Sequence, residues 1–505
     1  MKRALVGLGA VFAVLLAGCG GHTASVDPTA VPTAATLAKT KIPAAVDWPR
    51  WGFDAQRSGV GPAAVGLGPH NVGALRLRKV KLPGTVDSSA IALHGIVVRG
   101  RPHDLLVMTT TYGRTVAVDA GSGRILWEFT PSSIRAYEGS AQITTATPIA
   151  DPGRQFVYAA SPDGRIHKLA VSSGREVRAG GWPASATRDA THEKIASPLN
   201  ISGSSVVVVT GGYIGDAPPY QGHVVMIDRS SGQITAVWNS LCSDRHELIV
   251  PRTCSSSDAA IWARQGAVIE PGTGRILVAT GNAPFNGSTD WGDSVLELSP
   301  DGKQLLHNWT PANQAQLNSS DTDLGSTAPA VLPTYNGRRL AVQGGKAGVL
   351  DLLDLDRLNG TTGGASARTG GQIQQLPSPG GDQVFTAPAV WSHGGRIWVF
   401  VADGSGTVAY VLTGGAAHPQ LRVAWKSGTG GTSPVIAGGL LYVYDPSGAL
   451  NVYLPARGHR LASLPAGSGH WNSPIVTGGR VILPVGNAND HATSGTLDIF
   501  HLPGH

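Results

Sequence analysis

The chain has 505 residues, of which 68 are Gly and 34 are Pro, about a fifth together, and only 14% are charged. This composition excludes coiled coils and long helical arrays, which need Ala, Glu, Lys and Leu with few breakers, while 41% hydrophobic residues and 12 Trp exclude wholesale disorder. The net charge of +6 is thin over this length, and the densest basic run, Arg76 to Lys81 (RLRKVK), alternates like a strand, so no nucleic-acid partner is expected.

The chain opens MKRALVGLGAVFAVLLAGCGG. Lys2 and Arg3 precede an apolar run, Ala4 to Leu16, that is too short to span a bilayer as a mature helix. The run ends Leu16-Ala17-Gly18-Cys19, which resembles a bacterial lipobox: small residues admit a peptidase, and the Cys thiol accepts a diacylglyceryl group. On this reading residues 1–18 are a lipoprotein signal peptide and Cys19 is acylated. The protein is then expected in the cell envelope, outside the cytoplasm, anchored to a lipid membrane. An ordinary signal peptide with a chance Cys is the alternative. Residues 19–46 are small, polar and dotted with Pro, as in a flexible tether. Cys242 and Cys254 would share the oxidising compartment and are expected to form one disulfide closing a short loop; two free thiols are the alternative.

From Trp48 onward no long helical period appears. One phrase recurs eight times instead: SSAIAL at 88, TPIADP at 147, SPLNIS at 197, QGAVIEP at 265, APAVLP at 328, APAVW at 387, SPVIAG at 433 and SPIVTG at 473. Pro148, Pro198, Pro329, Pro388, Pro434 and Pro474 hold the equivalent place in six of them, with Ala90 and Gly266 in the other two. An alternating outer hairpin follows each phrase. TVAVDAGSGRILWEF (115–129) is the clearest, and 165–177, 223–238 and 294–309 match it, with Ser-Gly or Asp-Gly supplying the positive-φ turn. Looser copies run 349–364, 408–425, 450–464 and 496–502. Eight inner and eight outer phrases predict an all-β domain over 47–505, an eight-bladed β-propeller of four-stranded antiparallel blades. One blade cannot bury both faces alone, so neighbours stack radially and the ring closes. Trp127, Trp238, Trp309 and Trp425 end hairpins and are expected between blades. Ala74 to Leu82 is expected to add the outermost strand of the eighth blade, with Arg76, Arg78 and Lys79 keeping that edge soluble.

The phrase VDAGSGRILW resembles the repeat of quinoprotein dehydrogenase propellers, which bind pyrroloquinoline quinone (PQQ), and DWPRWGFDAQRSG is similar to that family's start. The resemblance covers about 47 to 505. Non-enzymatic PQQ-like propellers and BamB-type outer-membrane assembly lipoproteins share the repeat. In family enzymes, a segment like AIWARQGAVIEPGTGRILVATGNAPFNGSTDWGDSVLEL carries a Trp lying flat under the quinone and a Thr-Gly-Asn turn whose Asn ligates Ca²⁺. By position these are Trp262 and Asn282. SSDTDLGSTAP resembles the segment with the catalytic, metal-proximal Asp, here Asp323, and VQGGKAGVLDLLDLDRLNG the segment whose Lys or Arg contacts the quinone, here Lys346. The residue types suit the chemistry. An aromatic floor stacks on a flat polyanion and a cation neutralises it. Ca²⁺ takes oxygen ligands and polarises a carbonyl. A carboxylate base removes an alcohol proton. Each residue also has a plain reading: Trp262 as core, Asn282 as a turn residue, Asp323 as a turn cap, Lys346 on a solvated bulge.

Three departures from the family bear on activity. Its metal-ligating Glu falls where Tyr213 or Ile214 stands, and Asp216 substitutes only if the loop shifts. The adjacent Cys pair of some family alcohol dehydrogenases is absent, and no C-x-x-C-H occurs to attach a haem. No G-x-S-x-G, P-loop or H-E-x-x-H appears, and His470 and His491 read as surface residues. The resemblance therefore implies a PQQ-binding propeller, if active a dehydrogenase of an alcohol or polyol. The competing reading is a non-enzymatic envelope scaffold with a protein partner, BamB-like. A polysaccharide-binding propeller is a third, suggested only by abundant Trp and Gly.

Overall fold

Short β-branched runs punctuated by positive-φ Gly divide the chain into strands of two to nine residues. The computed structural model describes residues 45–358 and 369–504; the expected signal peptide, Cys19 and nearly all of the tether lie outside the described residues. The strands form eight four-stranded antiparallel sheets, each of consecutive strands except the last. The innermost strands are Ile91–Val98, Ile149–Ala150, Asn200–Ser202, Val268–Ile269, Ala330–Val331, Ala389–His393, Val435–Ala437 and Ile475–Thr477, one in each recurring phrase. These head blades one to eight. The one α-helix among the described residues is Gln314–Ser319.

The ring closes at blade eight. Its outermost strand is Arg76–Leu82, paired in register with Gly495–His501 from Arg76 opposite His501 to Leu82 opposite Gly495. Along that strand Val80 and Leu82 are buried while Arg76, Lys79 and Lys81 face solvent, the charged edge the sequence calls for.

Apolar residues fill the spaces between blades. One core cluster joins Ile149 and Tyr158 of blade two to Val206 and Val225 of blade three, and another joins Leu340 and Leu352 of blade five to Val399 and Val408 of blade six. The hairpin-ending Trp residues belong to this packing. Trp127 donates its indole N–H to Val171 O of the next blade at 2.8 Å, and Trp425 to Pro455 O at 2.6 Å. Each ring lies against a turn Gly of that neighbour, and a Cβ on Gly174 or Gly458 would fall 2.4 Å or 2.6 Å from it. Trp238 and Trp309 are buried as well.

Two outer hairpins differ from expectation. In blade five Val349–Asp354 pairs with Gln374–Pro377, beyond the expected limit of 364, because no Gly follows Asp354 at the tight-turn position. In blade two the fourth strand is Ala184–Ser185, and Glu176 contributes a single bridge to Leu169.

The segment ahead of the first blade has its own path. Trp48 bridges Ala92 of blade one. Pro49 O accepts from Ala150 N of blade two at 2.9 Å, and Ala55 O from Ile269 N of blade four at 3.0 Å. Ser58 O accepts from Val390 N of blade six and Gly59 O from Ile436 N of blade seven, both at 2.8 Å. Val65 O accepts from Gly479 N of blade eight at 2.7 Å. Blade three is held by Arg57, whose guanidinium donates to Leu199 O at 2.8 Å and to Trp51 O at 2.7 Å. The segment's backbone bonds thus meet blades one, two, four, six, seven and eight in that order.

Candidate functional site

Position along the inner strands separates two ends of the ring. Asp87, Thr145 and Phe385 line a cavity of 610 Å³, and five residues further on Ala92, Ala150 and Val390 hold the entering segment. Five extended residues span about 16 Å. The cavity and the segment therefore lie at opposite mouths, and the cavity is a well open on one side. Residues from seven of the eight blades line it, which puts it on the ring axis.

The four residues expected at the site converge in this well. Trp262, Asn282, Asp323 and Lys346 all line it. Lys346 Nζ lies 2.5 Å from Asp323 Oδ2 and 3.2 Å from Asp321 Oδ1, and 5.6 Å from the centre of the Trp262 ring. The Asn282 backbone N–H donates to Asp323 Oδ1 at 2.8 Å, and its side-chain amide to Asp321 Oδ1 at 3.0 Å. Burial opposes the charge on Lys346, yet Asp323 beside it outweighs that and holds the ammonium above its ordinary range.

Local backbone explains this convergence. The Cys242–Cys254 disulfide is formed and closes the loop between blades three and four, just ahead of Trp262. After it the chain takes positive φ at Asp258 and Ala259, pinned by Ala259 N to Asn282 O at 2.8 Å and Ile261 N to Thr210 O at 2.9 Å. That turn delivers Trp262 to the axis. Gly281 permits the close approach of the neighbouring blades, because a Cβ there would lie 2.2 Å from Asp323 Oδ1.

The remaining lining was not apparent from motifs. Trp262 begins an aromatic arc: Phe385 is 6.0 Å from it, and Trp471 is 4.9 Å from Phe385. The Arg264 guanidinium stacks over Trp471 at 4.7 Å. His470, read as a surface residue, instead lines the well and binds Asp87 Oδ2 through Nδ1 at 2.8 Å. Its place directly before an inner phrase sends it to the axis. Burial would raise the Asp87 carboxyl, but the His470 contact and charge, the Arg264 charge and the Ala488 N–H hold it below its ordinary value. Lys194 lines the same side, and burial together with the Arg264 charge pushes its ammonium down to about 8. A usable signal did exist in the sequence: Asp87, Thr145, Phe385 and Trp471 each stand three places before the Pro position of their phrase.

The well's donors suit a planar anion, with an aromatic floor and cations at its margins. They fit Ca²⁺ less well. Asn282 Oδ1 is buried without a partner, the oxygen type a hard cation takes. Both Asp323 oxygens, however, are held by Lys346 and the Asn282 amide. Asp216 reaches the well but accepts from Tyr220 Oη at 3.1 Å, while burial, with the Asp323 and Asp321 charges adding, raises its carboxyl. Among the described residues no three His, Cys, Asp or Glu converge on a metal position.

Comparison with known proteins bears on the fold. The family model described as outer membrane protein assembly factor BamB matches residues 72–244. A quinohemoprotein alcohol dehydrogenase from Comamonas testosteroni superposes with a TM-score of 0.64 at 15% identity, covering 91% of this chain and 81% of its own. A europium-containing methanol dehydrogenase gives 0.64 at 15%, covering 90% and 98%. BamB from Moraxella catarrhalis gives 0.51 at 12%, covering 85% and 99%. The fold is that of a PQQ-type β-propeller. No curated protein sequence matches the chain. The family-model match ends before Trp262, so it covers the repeats of the first three blades and part of the well's lining but none of Trp262, Asn282, Asp323 and Lys346.

Proposed function

We propose that this PQQ-type propeller is a lipid-anchored envelope protein whose axial well binds PQQ. The carrying observation is the joint placement of Trp262, Asp323 and Lys346 in one well, with Lys346 over the ring and against the carboxylate. Trp262 offers the flat surface on which a quinone stacks, and Lys346 the cation for its carboxylates or carbonyl oxygens. When bound, PQQ supplies the acceptor for a hydride equivalent from an alcohol or polyol carbon. Asp323 would take the hydroxyl proton at Oδ2, held in place by the Asn282 N–H on Oδ1 and by Lys346. A Ca²⁺ ion would find Asn282 Oδ1 and Asp323 as ligands only with Lys346 displaced, so no step is assigned to a metal.

The test is calorimetric titration of the purified protein with PQQ, with and without Ca²⁺. Saturable binding is expected, weakened tenfold or more in Lys346→Ala, since a charge-assisted contact is worth roughly 1.5–3 kcal/mol. No PQQ binding under either condition would favour the second reading, a protein-binding envelope scaffold. That reading is supported by the BamB family-model match and the BamB-like fold.

A further inference from the structure

The well has a second cationic pole, on the side away from Lys346, that the PQQ-type resemblance does not assign. Arg264 lies at the Trp471 end of the aromatic arc, with Lys346 at the Trp262 end. Between them run Trp262, Phe385 and Trp471. Lys194 lines the same well as Arg264, and their charges repel each other.

Neither cation is paired. Arg264 Nε is buried without a hydrogen-bond partner, and apart from the face of Trp471 its guanidinium meets no protein group within bonding distance among the described residues. Lys194 Nζ has no hydrogen bond or ion pair among them either, although its backbone is fixed by a two-way bridge to Gly211. The nearest opposite charge, Asp87, is already committed. Its Oδ2 accepts from His470 Nδ1 at 2.8 Å and Ala488 N at 3.0 Å, and its Oδ1 from Trp471 N at 2.9 Å.

Both side chains are half-buried in the wall of the well, and two like charges set side by side there, with only the committed Asp87 opposite, cost stability that a bound anion would offset. Elsewhere this protein pairs such groups: Arg339 binds Glu270 and Glu297, and Arg57 is capped by carbonyls. We propose that Lys194 and Arg264 form an anion-binding pole that takes a carboxylate carried on a planar ring, the ring lying along Phe385 and Trp471. A dianionic or more highly charged aromatic acid would then bridge the two poles. The carboxylate could belong to a quinone cofactor or to a free acid substrate, and the chemistry at the pole is the same. The pole stands on the unpaired cations and does not require the PQQ reading.

The experiment titrates the purified protein with PQQ, with benzene-1,3,5-tricarboxylate, and with glycolate. Each titration is repeated on Lys194→Met, Arg264→Gln and Lys346→Ala, with the melting temperature of every variant recorded without ligand. Lys194→Met is expected to melt higher than the wild type, because it removes a charge that repels Arg264, and to bind the tricarboxylate at least tenfold more weakly. Arg264→Gln should show the same loss of affinity, which keeps the test intact if either variant folds poorly. Binding of PQQ with the same two losses assigns the pole to the cofactor. Glycolate binding with those losses assigns it to a free acid. Tricarboxylate binding that depends on Lys194, with no PQQ binding, upholds the pole and removes the quinone reading. PQQ binding that responds to Lys346→Ala but not to Lys194→Met or Arg264→Gln overturns the pole and leaves the quinone reading standing. So does a Lys194→Met protein that melts lower and binds every anion like the wild type. Failure of all three anions to bind the wild type overturns the pole as well.

Discussion

Asp293 lies directly behind the turn that carries Asn282, its backbone N–H on Gly281 O at 2.9 Å. Its carboxyl accepts from Leu324 N at 3.1 Å and Gln314 Nε2 at 3.4 Å, with no cation in contact. Burial pushes it up to about 8 from an ordinary 3.8. The folded value exceeds the unfolded one, so the group's contribution is full below the unfolded value. It is lost as pH rises through about 8, because the unfolded chain gives up a proton that the fold retains. Asp293→Asn cannot ionise and keeps an acceptor for Leu324. It should therefore match the wild type near pH 4 and exceed it by a growing margin toward pH 8, measured by urea unfolding at several pH values. Parallel pH profiles for the two proteins would refute this. The same residue scale shows what was legible at the site. Trp262, Asn282, Asp323 and Lys346 each stand in a phrase whose order along the chain resembles a known one, and all four reach the well. Lys194, Arg264, Phe385 and Trp471 carry no motif. Each stands two to four places before the Pro position of its phrase, a placement that acquires meaning only once the ring is closed.

At the scale of elements, the entering segment and the disulfide loop support the ring and the turn around the well without lining it. The sequence DWPRWGFDAQRSG resembles a family opening, but nothing in its spacing says that it circles the axis, because its bonds are backbone contacts to five other places in the chain and the Arg57 side-chain bonds to a sixth. Arg57 is its anchor. The side chain is 3% exposed and donates to carbonyls of Trp51 and Leu199. Arg57→Ala leaves those carbonyls buried and unpaired and opens a void, so a loss of roughly 2–4 kcal/mol is expected in denaturant unfolding. A change below about 0.5 kcal/mol would mean that the segment is held by its backbone bonds alone. The disulfide was legible from cysteine arithmetic. Its contribution to the site was not, because it acts through the left-handed backbone at Asp258 and Ala259 that follows it. Replacing both Cys242 and Cys254 by Ser should cost about 2–4 kcal/mol. It should also weaken ligand binding in the well, since the turn presenting Trp262 loses a tie. Unchanged stability and unchanged ligand affinity in that double variant would separate the loop from the site.

For the whole molecule, the decisive feature is that blade eight is built from both ends of the described chain. Eight phrases count the blades, and the alternation of Arg76 to Leu82 supplies the seam, so the architecture was legible almost entirely. The exceptions are blades two and five, whose fourth strands lie beyond connections longer than the tight hairpin turns of the other blades. Closure has an energetic consequence. In an open stack of repeats each unit touches only its neighbours, and terminal units fray. Here blades one, seven and eight share one core cluster, in which Val80 and Leu82 of the seam strand lie among Leu106, Val118, Tyr442, Val481 and Leu497. Val80 also packs on the blade-one turn, where a Cβ on Gly123 would fall 2.9 Å from it. Val80→Asp sets a carboxylate into that seam with no cation in the cluster to receive it, and should cost about 3 kcal/mol or more. Opening the seam unties blade eight from blade one and frees the inner strands on which the entering segment depends. The loss should therefore be felt around the ring rather than confined to one blade. Unfolding followed by Trp fluorescence, which samples rings in most blades, and by far-ultraviolet circular dichroism should shift together to lower denaturant in Val80→Asp, each in a single transition. A separate early transition in one probe, with the main one unmoved, would mean that blade eight opens alone and that the seam does not govern the stability of the ring.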